Sequence, residues 1–338
     1  MVVQKQRLFQ GILLVVATVP MILLSSTAFG ELSQSENQIE RLAQNPRQDR
    51  LRQLLEQGRD LVEAEEYESA AQVYRQASNL DSENARIFSG LGYVEAILEN
   101  YQAAVAAYQK AVELEPDNAA FHQALGHSLA KIQNYSAATS AYHRASQLDA
   151  DNINPYLGLA AVLLRQDDRA GAISIYQKAL TIDPDHTEVN TLLGSLLVEE
   201  ENYQDAIAHL KTALDKNPQE TTAWLSLGNA YQEQDQLRDA ESAYKRAIRL
   251  DSELVEAFAS LGEVQLAQEE YMEAITTYNR LLELTPDTPG AYYNLGLALK
   301  ERDRVTEARE AFETAHDLFT ELQNEEGKER SQMQLENL

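Results

Sequence analysis

The sequence predicts an all-α fold, a solenoid of stacked helix–turn–helix repeats closed by a C-terminal capping helix. Three observations predict it. First, from Thr221 to Ser252 the chain reads TTAWLSLGNAYQEQDQLRDAESAYKRAIRLDS. Trp224, Leu227, Gly228 and Tyr231 fall on one helical face there. Ala240, Tyr244 and Ala247 form a second face after the polar break Gln234-Asp235-Gln236. Spacings of three and four are those of amphipathic helices. Second, Gly228 has a counterpart 34 residues earlier at Gly194 and another 34 later at Gly262. Third, this register runs from Leu51 to Leu322 without insertion or deletion, which makes eight units.

With Gly228 at position 8 of its unit, position 8 is Gly58, Gly92, Gly126, Ala160, Gly194, Gly228, Gly262 and Gly296. Position 20 is alanine in every unit, from Ala70 to Ala308. Position 24 is aromatic except at Leu210, and position 27 is alanine except at Leu281. Pro116, Pro184, Pro218 and Pro286 close their units at position 32. These residues resemble the tetratricopeptide repeat, a helix–turn–helix with the pattern W-x2-L-G-x2-Y, then A-x3-F, then P. The resemblance covers the chain from about residue 51 to its end. It implies a right-handed superhelical solenoid whose concave face is lined by first-helix positions 2, 5, 9, 12 and 13.

The pattern has a physical cause. Helices of about a dozen residues are marginal alone, because nucleation costs more than so few turns return. Each must bury its apolar face on a neighbour. Small residues at positions 8 and 20 let the two helices of a unit, A and B, approach closely. A larger residue at Gly228 or Ala240 overpacks that contact, at about 1–3 kcal/mol. The aromatic at 24 is expected to fill the space toward the next unit. Tyrosine at position 17 (Tyr67, Tyr101, Tyr135, Tyr203, Tyr271) marks the start of helix B. Proline at 32 cannot continue helix B.

In chain order, residues 1–30 come first. Lys5 and Arg7 precede an apolar run from Leu8 to Leu24, and no acid occurs before Glu31. This is the layout of an export signal, with small-residue cleavage candidates at Ser26-Thr27-Ala28 and Ala28-Phe29-Gly30. The run is also near the lower limit for a spanning helix, so a cleaved signal and an uncleaved anchor both stay open. Either way the repeats are carried across the cytoplasmic membrane, to periplasm or lumen. Membrane contact is expected only through residues 8–24, and only if the segment is uncleaved. Residues 31–50, polar and rich in Gln and Asn, read as a flexible linker. The units are 51–84, 85–118, 119–152, 153–186, 187–220, 221–254, 255–288 and 289–322. Residues 323–338 read as the capping helix, with Met333, Leu335 and Leu338 as a partial apolar stripe.

Composition narrows the function. The formal charge is −26 and there is no cysteine. So acidic a surface argues against general nucleic-acid binding. The absent thiol removes thiolate catalysis, cysteine-zinc sites and a lipoprotein anchor. The chain has no G-x-G-x-x-G, P-loop, G-x-S-x-G or H-E-x-x-H motif, and no cofactor or metal is expected. His122 and His127 are five apart, not the four of a metal pair, and read as packing or surface residues. Asp167-Asp168 sits in a turn where acids cap helix starts.

Function therefore falls to the surface. Carrying the concave positions across by resemblance gives Arg52, Arg59, Arg86, Tyr93, Gln123, His127, Lys131 and Arg165 in the first four units, with Glu63 among them. The last four give Asn229 and Tyr293 among Glu188, Glu199, Glu233, Glu256, Glu263, Lys300 and Glu301. The N-terminal half of this groove is basic and the C-terminal half acidic. It fits partner peptides, acidic ones on the arginine half. The carboxylate clamp for chaperone tails does not match: its positions hold Leu55 and Arg59, Ser89 and Tyr93, then Gln123 and His127. The expectation is an exported or membrane-tethered bacterial scaffold that is not an enzyme and binds other proteins during assembly of envelope complexes. The Gln-rich, acidic character also resembles cyanobacterial tetratricopeptide proteins, whose tethered members assist photosynthetic assembly. A self-associating structural solenoid is the alternative.

Overall fold

The computed structural model describes residues 46–338. The expected export segment and linker residues 31–45 lie outside the described residues. Seventeen α-helices, and no strand, occur among the described residues. The chain divides into two compact bodies, one ending at Ala172 and the other beginning at Ile173.

The N-terminal body holds three hairpins and a further helix. These are α1 (Pro46–Glu63) with α2 (Tyr67–Leu80), α3 (Ala85–Ile97) with α4 (Tyr101–Leu114), α5 (Ala119–Lys131) with α6 (Tyr135–Leu148), and α7 (Ile153–Arg165). Helix α8 (Arg169–Ile182) crosses the division. The C-terminal body holds α9 (Thr187–Glu199) with α10 (Tyr203–Lys216), α11 (Thr221–Glu233) with α12 (Leu237–Leu250), α13 (Val255–Ala267) with α14 (Tyr271–Leu284) and α15 (Pro289–Glu301) with α16 (Val305–Glu321). Helix α17 (Glu325–Glu336) follows. Within each body the paired helices of a hairpin pack on one another, and each B helix wholly inside a body packs on the A helix that follows it. This is an all-helical repeat array.

The core is built from the periodic positions. All eight alanines at position 20 are fully buried, as are the seven at position 27. The aromatic ring at position 24 does more than fill the space toward the next unit. It lies first against the glycine of its own hairpin: a Cβ on Gly92, Gly126, Gly228 or Gly262 would stand 2.9, 3.0, 2.5 or 2.6 Å from the ring of Tyr108, Tyr142, Tyr244 or Tyr278. It also reaches the next unit: the rings of Tyr74 and Tyr142 lie against Gly90 and Gly158 of the next A helix, and Asn294 of the next A helix donates to the Tyr278 hydroxyl at 3.1 Å. Where position 8 is Ala160, Tyr176 is buried all the same.

Every A-to-B turn is built alike. Residues Glu65, Glu99, Gln133, Asp167, Glu201, Asp235, Glu269 and Asp303, at position 15, all take positive φ between 56° and 62°. In the α3–α4 turn, Asn100 N–H donates to Glu95 C=O at 2.9 Å and Glu99 N–H to Ala96 C=O at 3.2 Å. That pair is the Schellman closure of a helix C-terminus. The next helix is then capped where the residue allows. Asp168 Oδ1 accepts the Gly171 N–H at 2.8 Å, Asn84 Oδ1 the Arg86 N–H at 3.2 Å and Asn324 Oδ1 the Gly327 N–H at 2.9 Å.

Two boundaries differ from expectation. Residues 46–50, expected as linker, are the first turn and more of α1. Pro46 opens the helix, where its missing N–H costs nothing. Arg47 Nε then donates to the Leu80 carbonyl at the end of α2 at 2.9 Å, docking that turn on its hairpin partner. At the other end, α17 buries Gly327 and Ser331, while Met333 is 59% exposed. Leu335 and Leu338 reach the α13–α16 core, but Met333 leaves the expected stripe. The contact that decides the face is Gly327, whose Cβ would stand 2.5 Å from the Phe319 ring.

Candidate functional site

The A helices of the N-terminal body place seven of the candidate residues at positions 2, 9 and 13. These positions share one helical face, since seven and eleven residues are close to whole numbers of turns. Arg52, Arg59, Arg86, Lys131 and Arg165 are all exposed, and Tyr93, Gln123 and His127 are partly so. Arg52 lies 3.8 Å from Asp49 in its own first turn. Arg59, Arg86, Lys131 and Arg165 have no carboxylate within ion-pair distance among the described residues.

The contrast with the B helices of the same body is sharp. Arg75 on α2 pairs with Glu95, Lys110 on α4 with Glu113 at 3.1 Å, and Arg144 on α6 with Asp117 at 2.6 Å. The reason lies in the sequence of the A helices. Helix α3 has one acid, the fully buried Glu95; α5 and α7 have none. Their bases therefore have no acid on their own helices to pair with; Arg86 shares a surface hollow with the loop acids Asp81, Glu83 and Glu115 without an ion pair.

Burial sets the charge of the remaining residues. His127 is held down to about 4, first by desolvation and then by the Lys131 ammonium, so it is neutral at physiological pH. Tyr93 is pushed up to about 12 by desolvation, with Tyr67 and Tyr74 adding to it. Lys131 Nζ stands 5.9 Å from the Tyr101 ring centroid, a cation–π distance that orients it along the face. The face thus offers cations, a neutral imidazole and a phenol that stays protonated. It can accept carboxylates and hydrogen-bond acceptors, and it carries no general base poised near neutrality.

The candidates of the C-terminal body are placed differently. Asn229 is committed: its Oδ1 lies 2.8 Å from the Tyr244 hydroxyl, which also lies 2.7 Å from Gln232 Oε1. Tyr293, expected on an open groove, is buried beneath α17. The Arg330 guanidinium sits 4.7 Å from its ring centroid, and Phe312 meets it edge-on at 5.7 Å. Lys300 is drawn the same way, donating to Gln334 Oε1 at 3.0 Å. The capping helix covers what the last repeat would otherwise show. Glu188, Glu199, Glu233, Glu256, Glu263 and Glu301 are exposed on the A helices of this body.

Several polar contacts escaped the sequence. His122 Nε2 lies 2.8 Å from the Pro116 carbonyl, Asn190 Nδ2 donates to the Pro184 carbonyl at 2.9 Å and Trp224 Nε1 to the Pro218 carbonyl at 2.9 Å. A donor six residues after a proline recurs in three units, so this clamp had a signal. Glu95, held by Arg75 and by Asn100 Nδ2 at 3.0 Å, had none. No helix of the described residues is long and apolar enough to cross a membrane, and none of their His and acidic side chains cluster as metal ligands.

Known proteins agree with this architecture. Tetratricopeptide repeat models match residues 55–119 and 289–318, and a model described as TPR repeat matches 266–303. The middle TPR-like domain of cilia and flagella-associated protein 70 matches 130–251. No curated protein matches the chain. Among solved structures, the C-terminal part of a TPR repeat-containing protein from Cytophaga hutchinsonii is similar, with TM-score 0.62 and 18% identity over 71% of this chain and 98% of that one. PilF of Pseudomonas aeruginosa gives 0.54 and 20%, over 65% and 100%. YrrB, described as a TPR protein with an unusual peptide-binding site, gives 0.50 and 19%, over 56% and 98%. At these identities the likeness is one of fold. Taken with the helical hairpins and their glycine–aromatic contacts, these matches show the fold of a tetratricopeptide repeat solenoid, with residues 55–119 and 266–318 matching the repeat models themselves.

Proposed function

We propose that this protein is an interaction scaffold that holds acidic segments of other proteins against the A-helix face of its N-terminal body. One observation carries the reading. Helices α3, α5 and α7 present Arg86, Lys131 and Arg165 with no exposed acid among them, in a chain of 54 acids and 28 bases. Arginine gives planar, bidentate contacts to carboxylates, and Arg59 extends the row onto α1. The fold shared with YrrB, itself described with a peptide-binding site, is consistent with such use. Nothing in the reading calls for catalysis or a cofactor. The leader at residues 1–30 places the scaffold across a membrane, free or tethered, where it serves assembly of envelope complexes; a photosynthetic membrane is the most specific setting its composition suggests. A second reading, self-association, has its own support at the C-terminal end, where Leu322 and Met333 are 64% and 59% exposed.

The test is the triple variant Arg59→Glu, Arg86→Glu, Arg165→Glu. All three side chains are exposed, so far-UV circular dichroism should be unchanged. Cross-linking in cells followed by mass spectrometry should recover partners with the wild type and lose them with the variant. Equal recovery would remove the groove reading. Self-association is separated by light scattering, since it alone requires mass to rise with concentration.

A further inference from the structure

We propose that the C-terminal body carries a second, small-molecule site that takes a free apolar α-amino acid. The site is a half-open cavity of about 240 Å³ lined by residues of α13, α15, α16 and α17. Tyr293 and Phe319 give it apolar walls. Gly290 leaves one side of it open, with nothing within 4 Å of where its Cβ would stand. The volume lies below the about 300–1,000 Å³ of drug-sized pockets, so it suits one residue-sized molecule and not a peptide.

The charges at the cavity give the ligand class. The Arg330 guanidinium carbon stands 4.7 Å from the Tyr293 ring centroid. A cation–π contact uses none of the guanidinium's N–H donors, which are the groups that grip a carboxylate. No carboxylate of the described residues stands within ion-pair distance of Arg330. Glu263 lines the same cavity, yet no salt bridge within 4.0 Å joins the two. Opposite charges that face one space without pairing are bridged by a ligand that carries both. Its carboxylate goes to Arg330, its ammonium to Glu263, and its side chain to the aromatic walls. Asn294 donates through Nδ2 to the Tyr278 hydroxyl at 3.1 Å, which leaves its Oδ1 as a further acceptor for the ammonium. This site is independent of the acidic-segment face and stands or falls apart from it.

The experiment is isothermal titration of the full chain with L-leucine and with L-phenylalanine. Leucinamide, which lacks the carboxylate, and 4-methylpentanoate, which lacks the ammonium, serve as half-ligands. At least one amino acid should bind, and both half-ligands should bind about tenfold more weakly or worse, as loss of a charged contact implies. Arg330→Gln should erase the preference for leucine over leucinamide, and Glu263→Gln the preference over 4-methylpentanoate. Because Arg330→Gln also loosens α17, Gly290→Leu is the second variant. It fills the cavity from open space, keeps the Arg330–Tyr293 contact, and should abolish binding with the thermal midpoint unchanged. No binding of either amino acid to the wild type would overturn the proposal. Binding that survives both Gly290→Leu and Glu263→Gln would overturn it equally.

Discussion

Gly228 tests whether the repeat is held together by close helix approach. A Cβ added there would stand 2.5 Å from Tyr244 Cε1 and 2.6 Å from Cδ1, about 0.9 Å short of the 3.4 Å at which ordinary contact begins. The ring cannot swing aside freely. Tyr244 is fully buried, and its hydroxyl is held between Asn229 and Gln232. Overpacking of this kind costs about 1–3 kcal/mol. Alanine returns about 1 kcal/mol of helix propensity, so Gly228→Ala should destabilise by about 1 kcal/mol net. Gly290→Ala is the control, since nothing lies within 4 Å of its Cβ, and it should be neutral or stabilising by up to about 1 kcal/mol. A repeat array need not unfold in one step, so the readout is local. Amide exchange in peptides of α11 and α12 should quicken by about fivefold in Gly228→Ala, which is what about 1 kcal/mol corresponds to, and not in Gly290→Ala. If Gly228→Ala slows exchange in that hairpin, the ring is not confined and the account of position 8 is wrong.

Three further outcomes follow from the same structure. Gln133→Gly and Glu269→Gly, each at a φ of 61°, should stabilise their turns by about 0.5–1 kcal/mol, while alanine at these sites should not; urea unfolding checks this. Arg75→Met strands the buried Glu95 carboxylate and should cost about 3 kcal/mol, with Glu95→Gln in the same chain recovering part of it, read from the thermal midpoint. His127 has a folded pKa of about 4 against 6.5 for the free residue, so the unfolded chain binds the proton first. Its contribution is therefore full above pH 6.5 and lost as pH falls toward about 4, by at most about 3 kcal/mol; His127→Gln should flatten the stability profile across that window.

What could be read from the sequence was whatever the 34-residue period repeats. The alanine equivalent to Ala240 is seen eight times over and the pair Gly228–Tyr244 five times, and each copy limits the others. The turns were harder. Position 15 takes a left-handed conformation in all eight units, yet it holds Glu, Gln or Asp and never the Gly or Asn that usually marks it. The geometry is imposed by the two helices it joins, so composition does not disclose it. Contacts made once were not legible at all. Arg75 and Glu95 are 20 residues apart and occur in one hairpin pair only. Arg330 reaches Tyr293 because α17 turns Gly327 toward Phe319, and a helix with so weak an apolar stripe gave no sign of which face it would use. Export and the choice of groove residues rest on residues or roles that packing does not decide.

The distribution of charge follows from this division between repeated and single features. On a B helix, a base finds an acid on its own helix at i+3, as Lys110 does, or on a loop beside it, as Arg144 does. An A helix in the N-terminal body meets other A helices and B helices through its buried faces, and its outward row sees only the rows beside it. Since α3, α5 and α7 carry no exposed acid, nothing within the row offsets its charge, although the loop acids Asp81, Glu83 and Glu115 lie beside Arg86. The net charge of −26 acts at long range and repels an acidic partner, but at physiological salt its reach is about 8 Å. Inside that distance the partner meets the guanidinium groups of Arg86 and Arg165 and not the sum of the chain. The acidic bulk therefore limits how fast such a partner arrives, and the A-helix row determines how long it stays.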